Sequence, residues 1–376
     1  MHDSLLECEN MENYVGSIVW DGRVCDIFTE KTSFYIDHTE WHVNRYENRF
    51  LRLPEIETGA RSGGYNIKPG TVRLGGISYE NVKHHPDYQK ILEKLQMVDM
   101  CLMQDFDGII EGFTFVPNGR SIFGSRKAFI KKPFEFDNET YCGLEIKGCS
   151  YNGGPINRKK FRTIGPFFPA DDSGPLGGLY FDESCQSLSN GITLAKTNPL
   201  EIACFELPFT VESRFHGTKN LGLEVRAVKS SLRTSETAAL FPDVIKSLKL
   251  EPEEFLERYE RNLFSDLNHI LSSGFYHCHL HNLNVDATGS ITDLGELEKI
   301  SENNKIADNF YNAYCLSAFM RNAAFGGFDY KPARELAKQI IEDKKIKKIA
   351  EDVGKYLIGN QKKKKSVVRK LRRLLK

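Results

Sequence analysis

Residues 274–297 read GFYHCHLHNLNVDATGSITDLGEL, and this stretch carries most of the chemistry that the sequence displays. Three histidines occupy alternate positions from His277 onward, Asn284 follows them, and Asp293 begins an Asp-Leu-Gly turn nine residues further on. Histidines at this spacing could share one face of a strand and bind zinc. They could also be core residues bonded to the backbone, or belong to a loop that handles a nucleotide.

The third interpretation fits the surrounding residues best. A kinase-like catalytic loop has a histidine, an aspartate two residues later, an asparagine five residues beyond it, and then an Asp-x-Gly turn. His277, His279 and Asn284 occupy the first three positions, and Asp293 opens the turn. In such loops the asparagine and the second aspartate hold Mg²⁺ against nucleotide phosphates. The zinc interpretation is weaker, because the HxHxDH motif of metallo-β-lactamase-like hydrolases has an aspartate where this chain has Leu280.

The rest of the sequence predicts an α+β protein. Residues 109–149 alternate short strand-like runs with turn signals. Residues 251–275 place apolar side chains on one helical stripe, with Gly274 as the stop signal. The segments 307–325 and 332–357 also have a helical pattern. A β-rich first half and a helix-rich second half favour a bilobal, protein-kinase-like fold with a cleft between the lobes.

We predict four regions along the chain: an N-terminal extension over 1–105, a β-rich N-lobe over 106–210, a helical C-lobe over 211–355 and a basic tail over 356–376. Nine cysteines without a CxxC pair indicate free thiols in a reducing compartment. No apolar run reaches the roughly 18 residues that a membrane span needs. We therefore expect a cytoplasmic protein.

Charge is unevenly distributed along the chain. Residues 362–376, KKKKSVVRKLRRLLK, hold nine of the 51 Lys and Arg and none of the 51 Asp and Glu, so the remainder carries a net charge of −9. Such a body gives no reason to expect specific nucleic-acid binding. An apolar stripe from Val367 to Leu375 lies opposite the basic residues. This pattern is typical of an amphipathic helix that binds an anionic membrane surface, at the membrane periphery, or an acidic partner.

A nucleotide loop of this kind needs charged partners upstream, and the chain offers them in the expected order. Lys147 closes a short apolar strand before a glycine, and Glu183 falls on a predicted helix. Arg226 and Arg233 lie seven residues apart. A Lys–Glu pair orients the lysine toward phosphate, and two arginines can neutralise a triphosphate. Each residue alone is more often a solvated surface ion, so the order of the set carries the prediction.

The chain resembles the selenoprotein O pseudokinases, which are protein adenylyltransferases, in four places. GFYHCHLHNLN with ITDLG matches the histidine–asparagine stretch and Asp-Tyr-Gly turn of that family. LEIKGCS resembles its Leu-Lys-Gly strand, DES resembles its Arg-Glu helix, and RAVKSSLR resembles its Arg-x-x-x-Ser-x-x-Arg segment. The resemblance covers residues 47–300, with a long insertion between Lys147 and Glu183.

The resemblance implies that ATP binds with Mg²⁺, or Mn²⁺ as an alternative, in an orientation reversed relative to kinases. AMP is then transferred to a Ser, Thr or Tyr hydroxyl of a protein substrate. It also implies roles for individual residues: Lys147, Arg226 and Arg233 hold the γ-phosphate, Glu183 orients Lys147, Asn284 and Asp293 bind the metal ion, and the turn DDSGPLGG, with Asp172 and Gly174, covers the nucleotide.

The chain departs from the family at the catalytic base. The family has an aspartate immediately before the metal-binding asparagine, where this chain has Leu283. Leucine cannot accept a proton, whereas an imidazole with a pKa of roughly 6.5 can. We predict His279 as the base, with His281 as the second candidate. Two other functions stay open: phosphoryl transfer from the γ-phosphate with His279 as base, and a nucleotide-binding pseudokinase scaffold without catalysis.

Overall fold

A computed structural model describes residues 14–31, 127–148, 179–213 and 217–359, together with short strands outside these ranges. The described part contains a sheet-rich region and a helix-rich region, which confirms the predicted α+β class. It divides into two compact units. The sheet unit draws its described residues from Asn44–Ile192 and Leu200–Val228, and the helical unit from Asn13–Val43, Thr193–Pro199 and Lys229–Lys376.

The strands of the described part, in chain order, are β1 Tyr14–Trp20, β2 Arg23–Phe28, β3 Ser33–Ile36, β4 Thr39–His42, β5 Val72–Arg73, β6 Val82–His84, β7 Met103–Gln104, β8 Gly119–Ser121, β9 Lys127–Phe136, β10 Glu139–Lys147, β11 Arg162–Ile164, β12 Phe168–Asp171, β13 Gly174–Pro175, β14 Leu179–Tyr180, β15 Leu200–Ser213, β16 Gly217–Val228, β17 Phe275–His277 and β18 Leu297–Lys299. The helices are α1 Phe181–Thr193, α2 Thr234–Ala239, α3 Phe241–Leu248, α4 Pro252–Ser272, α5 Asn303–Phe325, α6 Lys331–Ile340 and α7 Lys344–Gly359.

An antiparallel sheet in the order β6-β15-β16-β10-β9-β8 forms the centre of the sheet unit, with β14 also paired to β16. Asp137 and Asn138 join β9 to β10 with φ values of 50° and 61°. This left-handed turn matches the twist of a hairpin and suits aspartate and asparagine. Helix α1 packs on β16, where a Cβ at Gly222 would lie 2.7 Å from Cα of Phe181. Glycine at this position therefore lets the helix approach the sheet.

The longest helices of the helical unit are α4 and α5. The apolar stripe predicted over residues 251–275 is buried throughout α4, which confirms that helix. The guanidinium of Arg321 in α5 donates to both carboxylate oxygens of Glu260 in α4, at 2.7 and 2.8 Å. Trp20 of β1 stacks on Phe255 with ring centroids 5.5 Å apart. Apolar packing and a buried ion pair thus join α4 to its neighbours.

The helical pattern over residues 332–357 is confirmed, and the structure divides it between two helices. Helix α6 ends at Ile340 and α7 begins at Lys344. A carboxylate oxygen of Asp343 accepts the backbone N–H groups of Lys345 and Ile346, both at 2.9 Å. An aspartate that satisfies the free N–H groups of a first turn starts a new helix. The apolar pattern of the sequence continues between Ile340 and Lys344, so it does not indicate that one helix ends and another begins there.

The division into units follows strand pairing. Both β15 and β16 belong to the sheet unit, which extends to Val228.

Of the predicted basic tail, residues 356–359 complete α7, and residues 360–376 lie outside the described residues. None of the helices that the structure describes is long and apolar enough to span a bilayer.

Candidate functional site

The histidine stretch lies in a loop of the helical unit whose two ends are fixed. Strand β17 pairs antiparallel with β18, with His277 opposite Leu297. The N–H of Cys278 donates to the carbonyl of Glu296 at 2.9 Å. The chain leaves α4 through Gly274, whose φ of 85° suits glycine at a helix end. The two ends of the segment between β17 and β18 therefore lie side by side.

A short hairpin within this loop brings the two candidate metal ligands together. Val285 and Ile291 form an antiparallel bridge, and the N–H of Thr292 donates to the carbonyl of Asn284 at 2.8 Å. Asp293 follows Thr292 directly and has φ 58° and ψ 55°, a left-handed conformation. Asn284 and Asp293, nine residues apart in the sequence, thus lie next to each other at one end of the hairpin.

The side chain of Asn284 is oriented by the loop. Its Nδ2 donates to the carbonyl of His279 at 2.9 Å, and the residue is only 6% exposed. With Nδ2 on a carbonyl, Oδ1 is the atom that can act as a ligand. An amide oxygen and a carboxylate are the hard oxygen donors that Mg²⁺ prefers. The chemistry of Asn284 and Asp293 therefore fits a divalent cation.

Arg233 contacts the same hairpin. Its backbone bridges Asp286, and its guanidinium donates to the hydroxyl of Thr292, the residue before Asp293. The N–H of Arg233 donates to the carboxylate of Glu236 at 2.9 Å, and the residue is 3% exposed. Of the predicted phosphate ligands, Arg233 is the one that the helical unit places beside the candidate metal ligands.

His277 is a core histidine. Its Nε2 lies 2.9 Å from the carbonyl of Thr292, and its Nδ1 accepts the N–H of His279 at 3.2 Å. The side chain of Asn309 bonds both backbone groups of His277, at 2.9 and 2.8 Å. Burial lowers the pKa of this imidazole, which favours the neutral form. With both ring nitrogens bonded, His277 cannot serve as a metal ligand.

The three-histidine zinc interpretation is therefore wrong. Within the residues that the structure describes, no group of three or more His, Cys, Asp or Glu side chains is arranged to hold a metal ion. His277 is buried at 1% exposure, whereas the His279 side chain is 68% exposed. Alternate spacing did not place the three rings on one face, because only Phe275–His277 is a strand.

The two exposed histidines differ in their hydrogen bonds. Nδ1 of His279 lies 2.7 Å from a carboxylate oxygen of Glu296. Nδ1 of His281 instead accepts the N–H of Leu283 at 3.1 Å. In a neutral imidazole one nitrogen donates and the other accepts. Glu296 therefore holds the proton of His279 on Nδ1 and leaves Nε2 as a base. Both ring nitrogens of His281 instead lie against loop atoms, since its Nε2 is 3.5 Å from Nδ2 of Asn284.

Lys147 and Glu183 lie in the sheet unit on the predicted elements. Lys147 ends β10 opposite Glu224 of β16 and is 9% exposed. The next residue, Gly148, has a φ of 90°, and a Cβ there would lie 2.5 Å from the carbonyl oxygen of Gly222. The glycine after Lys147 is therefore required by the close approach of two backbones. Glu183 lies in the first turn of α1.

Arg226 lies at the centre of a buried ionic cluster in the same sheet. Its Nε donates to a carboxylate oxygen of Glu145 at 3.0 Å, and its Nη1 donates to Glu224 at 2.9 Å. Ion-pair contacts of 2.9 Å to Glu145 and 3.9 Å to Glu201 complete the cluster. All four residues are at most 2% exposed. A phosphate would have to compete with these carboxylates for a guanidinium that has no solvent access. We therefore leave Arg226 out of the phosphate-binding set proposed below.

The predicted nucleotide-covering turn falls only partly within the described residues. Asp172 lies outside them. Gly174 begins β13 and pairs with Asp171 of β12. The described part of this turn is therefore a short hairpin.

Sequence reasoning missed two acidic residues that shape the loop. Glu296 orients His279, as described above. Asp286 is 2% exposed and accepts the N–H groups of Thr288 and Ser290 at 2.8 and 3.1 Å, and Nδ2 of Asn198 at 3.0 Å. Burial raises the pKa of its carboxyl. The run Asp-Ala-Thr-Gly was the available signal, since aspartate and glycine at this spacing are typical of a tight turn.

No family model matches the chain, and no curated protein matches it. Among solved structures, the crystal structure of a Toxoplasma gondii specific rhoptry antigen kinase domain is similar at 9% sequence identity and a TM-score of 0.32. The similarity covers 68% of this chain and 81% of that chain.

Proposed function

We propose that this protein is a Mg-ATP-dependent transferase of the bilobal kinase-like type that moves AMP to a Ser, Thr or Tyr hydroxyl of a protein substrate. The observation that carries the proposal is the hairpin that sets Asn284 beside Asp293, with Arg233 bonded to the intervening Thr292. The resemblance to selenoprotein O supports AMP rather than phosphate as the transferred group.

Asn284, through Oδ1, and Asp293, through its carboxylate, would hold Mg²⁺ or Mn²⁺. When bound, the ion neutralises negative charge on the phosphates. Arg233 adds a permanent positive charge beside Asp293, because a guanidinium stays protonated at neutral pH. Lys147 and Glu183 keep the roles that the resemblance implies, a phosphate contact and the carboxylate that orients it.

His279 is the proposed base. Its Nε2 accepts the proton of the acceptor hydroxyl, while Glu296 stabilises the resulting imidazolium through Nδ1. The acceptor oxygen then bonds to the α-phosphorus, and pyrophosphate leaves. His281 is a weaker candidate, because its Nδ1 lone pair already accepts a backbone N–H.

The test is labelling with ATP that carries radioactive phosphorus at either the α- or the γ-position. The purified protein and a cell lysate serve as acceptors. We expect protein-bound label from the α-position alone, and its loss in Asp293→Ala. Asp21→Ala is the matched control, since Asp21 is an exposed aspartate outside the loop. Each variant is first checked for an unchanged melting temperature.

Two other outcomes would replace the proposal. Label from the γ-position alone would mean phosphoryl transfer, which the same metal ligands and base can serve. Measurable ATP binding without label at either position would mean a nucleotide-binding scaffold, consistent with leucine at 283, where the family has its base.

A further inference from the structure

Two cysteines of the sheet unit lie in contact. Cys185 is in α1 and Cys204 is in β15, and their Sγ atoms are 3.7 Å apart. Both residues line a cavity of about 600 Å³ that is open to solvent, together with Gln186 and Ile192. Cys204 is fully buried, and Cys185 is half-buried. A small reagent that enters the cavity therefore meets Cys185 first, with Cys204 behind it.

The packing of α1 keeps these sulfurs close. Gly222 allows the backbone of Phe181 to approach β16, and β16 pairs directly with β15. A disulfide bond has a sulfur–sulfur length of about 2.05 Å, so the two sulfurs must approach by a further 1.6 to 1.7 Å, roughly. Rotation of two side chains on adjacent, packed elements can supply that approach.

We propose that Cys185 and Cys204 are a redox-modification site that forms a reversible disulfide with a low-molecular-weight disulfide as oxidant. The thiolate of Cys185 attacks the oxidant and forms a mixed disulfide, releasing one thiolate. The thiolate of Cys204 then attacks Sγ of Cys185, and the second thiolate leaves. Two protein thiols are oxidised, one small disulfide is reduced to two thiols, and the protein's two protons pass to the released thiolates.

The disulfide would tie the first half of α1 to the sheet. Glu183 lies two residues before Cys185, so the bond would restrain the helical turn that carries this glutamate. The disulfide would also close the loop between Cys185 and Cys204, which lowers the entropy of the unfolded chain and stabilises the folded form. This inference does not depend on the proposed nucleotide chemistry.

Peptide mapping of the full-length protein tests the proposal. The protein is incubated with oxidised glutathione, its remaining thiols are alkylated, and it is digested with trypsin under denaturing conditions. Peptide 163–196 contains Cys185 as its one cysteine, and peptide 197–214 contains Cys204. We expect these peptides to be joined, with a mass two hydrogens below their sum. The melting temperature should rise by about 5 °C and return on reduction.

Three serine variants complete the test. In Cys204→Ser, Cys185 should remain as a stable mixed disulfide with glutathione, without the rise in melting temperature. Cys185→Ser should show neither product, and Cys25→Ser, at a half-buried thiol of β2, should keep the cross-link. Wild-type protein with glutathione on Cys185 and a reduced Cys204, or with Cys185 joined to another cysteine, would overturn the proposal. The wild-type map decides even where a variant does not fold.

Discussion

The carboxylate of Glu296 leaves Nε2 of His279 available as a base, whereas both ring nitrogens of His281 lie against loop atoms. Both rings are exposed, and both lie in a loop with leucine at position 283. A ring with its proton on Nδ1 offers Nε2 to a substrate, whereas a ring with contacts at both nitrogens offers neither. The choice of base in this loop therefore depends on the contacts of the two rings.

We expect His279→Ala to lower the initial rate of label transfer from the α-position by about 100-fold, which is the lower end of general-base contributions. His281→Ala should stay within a factor of about three. Both rates are measured in single turnover at neutral pH. Equal losses in the two variants would contradict the assignment of the base.

Burial of His277 makes the stability of the protein depend on pH. Its pKa is lowered in the folded state, whereas the unfolded chain has a pKa of about 6.5. The stabilising contribution is fully present above about pH 6.5. Below that pH the unfolded state binds a proton that the folded state excludes. The free energy of unfolding then falls with pH, by at most about 1.4 kcal/mol per pH unit.

Urea denaturation at a series of pH values from about 7 to about 5 measures this slope. We expect His277→Gln to have a smaller slope than the wild type, by an amount that corresponds to at most one proton. His281→Gln is the control and should keep the wild-type slope, because His281 is exposed. An unchanged slope in His277→Gln would show that another group causes the pH dependence of the free energy of unfolding.

At the scale of elements, the hairpin from Asn284 to Thr292 depends on the close approach of α4. Gly289 has a φ of 88°, and a Cβ there would collide with the carbonyl oxygen of Tyr259 in α4. Gly274 has a similar φ of 85° but has open space around its Cα. The two glycines share a backbone conformation and differ in their surroundings.

Alanine at each glycine separates these effects. We expect Gly274→Ala to lower the free energy of unfolding by about 1 kcal/mol from backbone strain, and Gly289→Ala by about 3 kcal/mol or more. Chemical denaturation measures both values. Equal losses of unfolding free energy in the two variants would mean that the hairpin moves away from α4 at little cost in free energy.

The ionic cluster in the central sheet is a second element-scale feature. We expect Arg226→Met to destabilise the protein by about 3 to 5 kcal/mol, because Glu145 and Glu224 would remain buried without their counter-ion. Lys219→Met is the control, since Lys219 pairs with the exposed Asp182 at 2.5 Å. It should cost less than about 1 kcal/mol. A small loss in Arg226→Met would mean that the carboxylates can be neutral or hydrated.

At the scale of the whole molecule, the basic tail balances an acidic body. Deletion of residues 360–376 removes nine positive charges and changes the net charge from 0 to −9. We expect the full chain to sediment with anionic lipid vesicles, and the deletion variant to remain in solution. Binding should weaken as salt screens the charges. Equal sedimentation with neutral vesicles would contradict an electrostatic attachment.

Replacing Leu371, Leu374 and Leu375 by serine distinguishes a lipid surface from an acidic protein partner. Loss of vesicle binding with all charges retained would indicate that the apolar stripe enters the membrane. Retained binding would favour a purely electrostatic contact.

The sequence by itself determined the elements whose signals are local. The 3.6-residue apolar period defined α4, strand-like runs and turn residues indicated strands within 109–149, and spacing identified Asn284 and Asp293 as a pair. These features depend on neighbours within a few turns of the chain, which any window of the sequence contains. The α+β class followed from the order of such segments.

Tertiary structure alone decided what the charged and sulfur-bearing residues contact. Arg226 has the spacing of a phosphate ligand, yet strand pairing surrounds it with carboxylates from β10, β15 and β16. The same pairing and the packing of α1 bring Cys185 to Cys204, and the turn at Asp293 brings Glu296 to His279. Cross-strand and helix–sheet neighbours come from distant parts of the chain, so local sequence patterns do not predict these contacts.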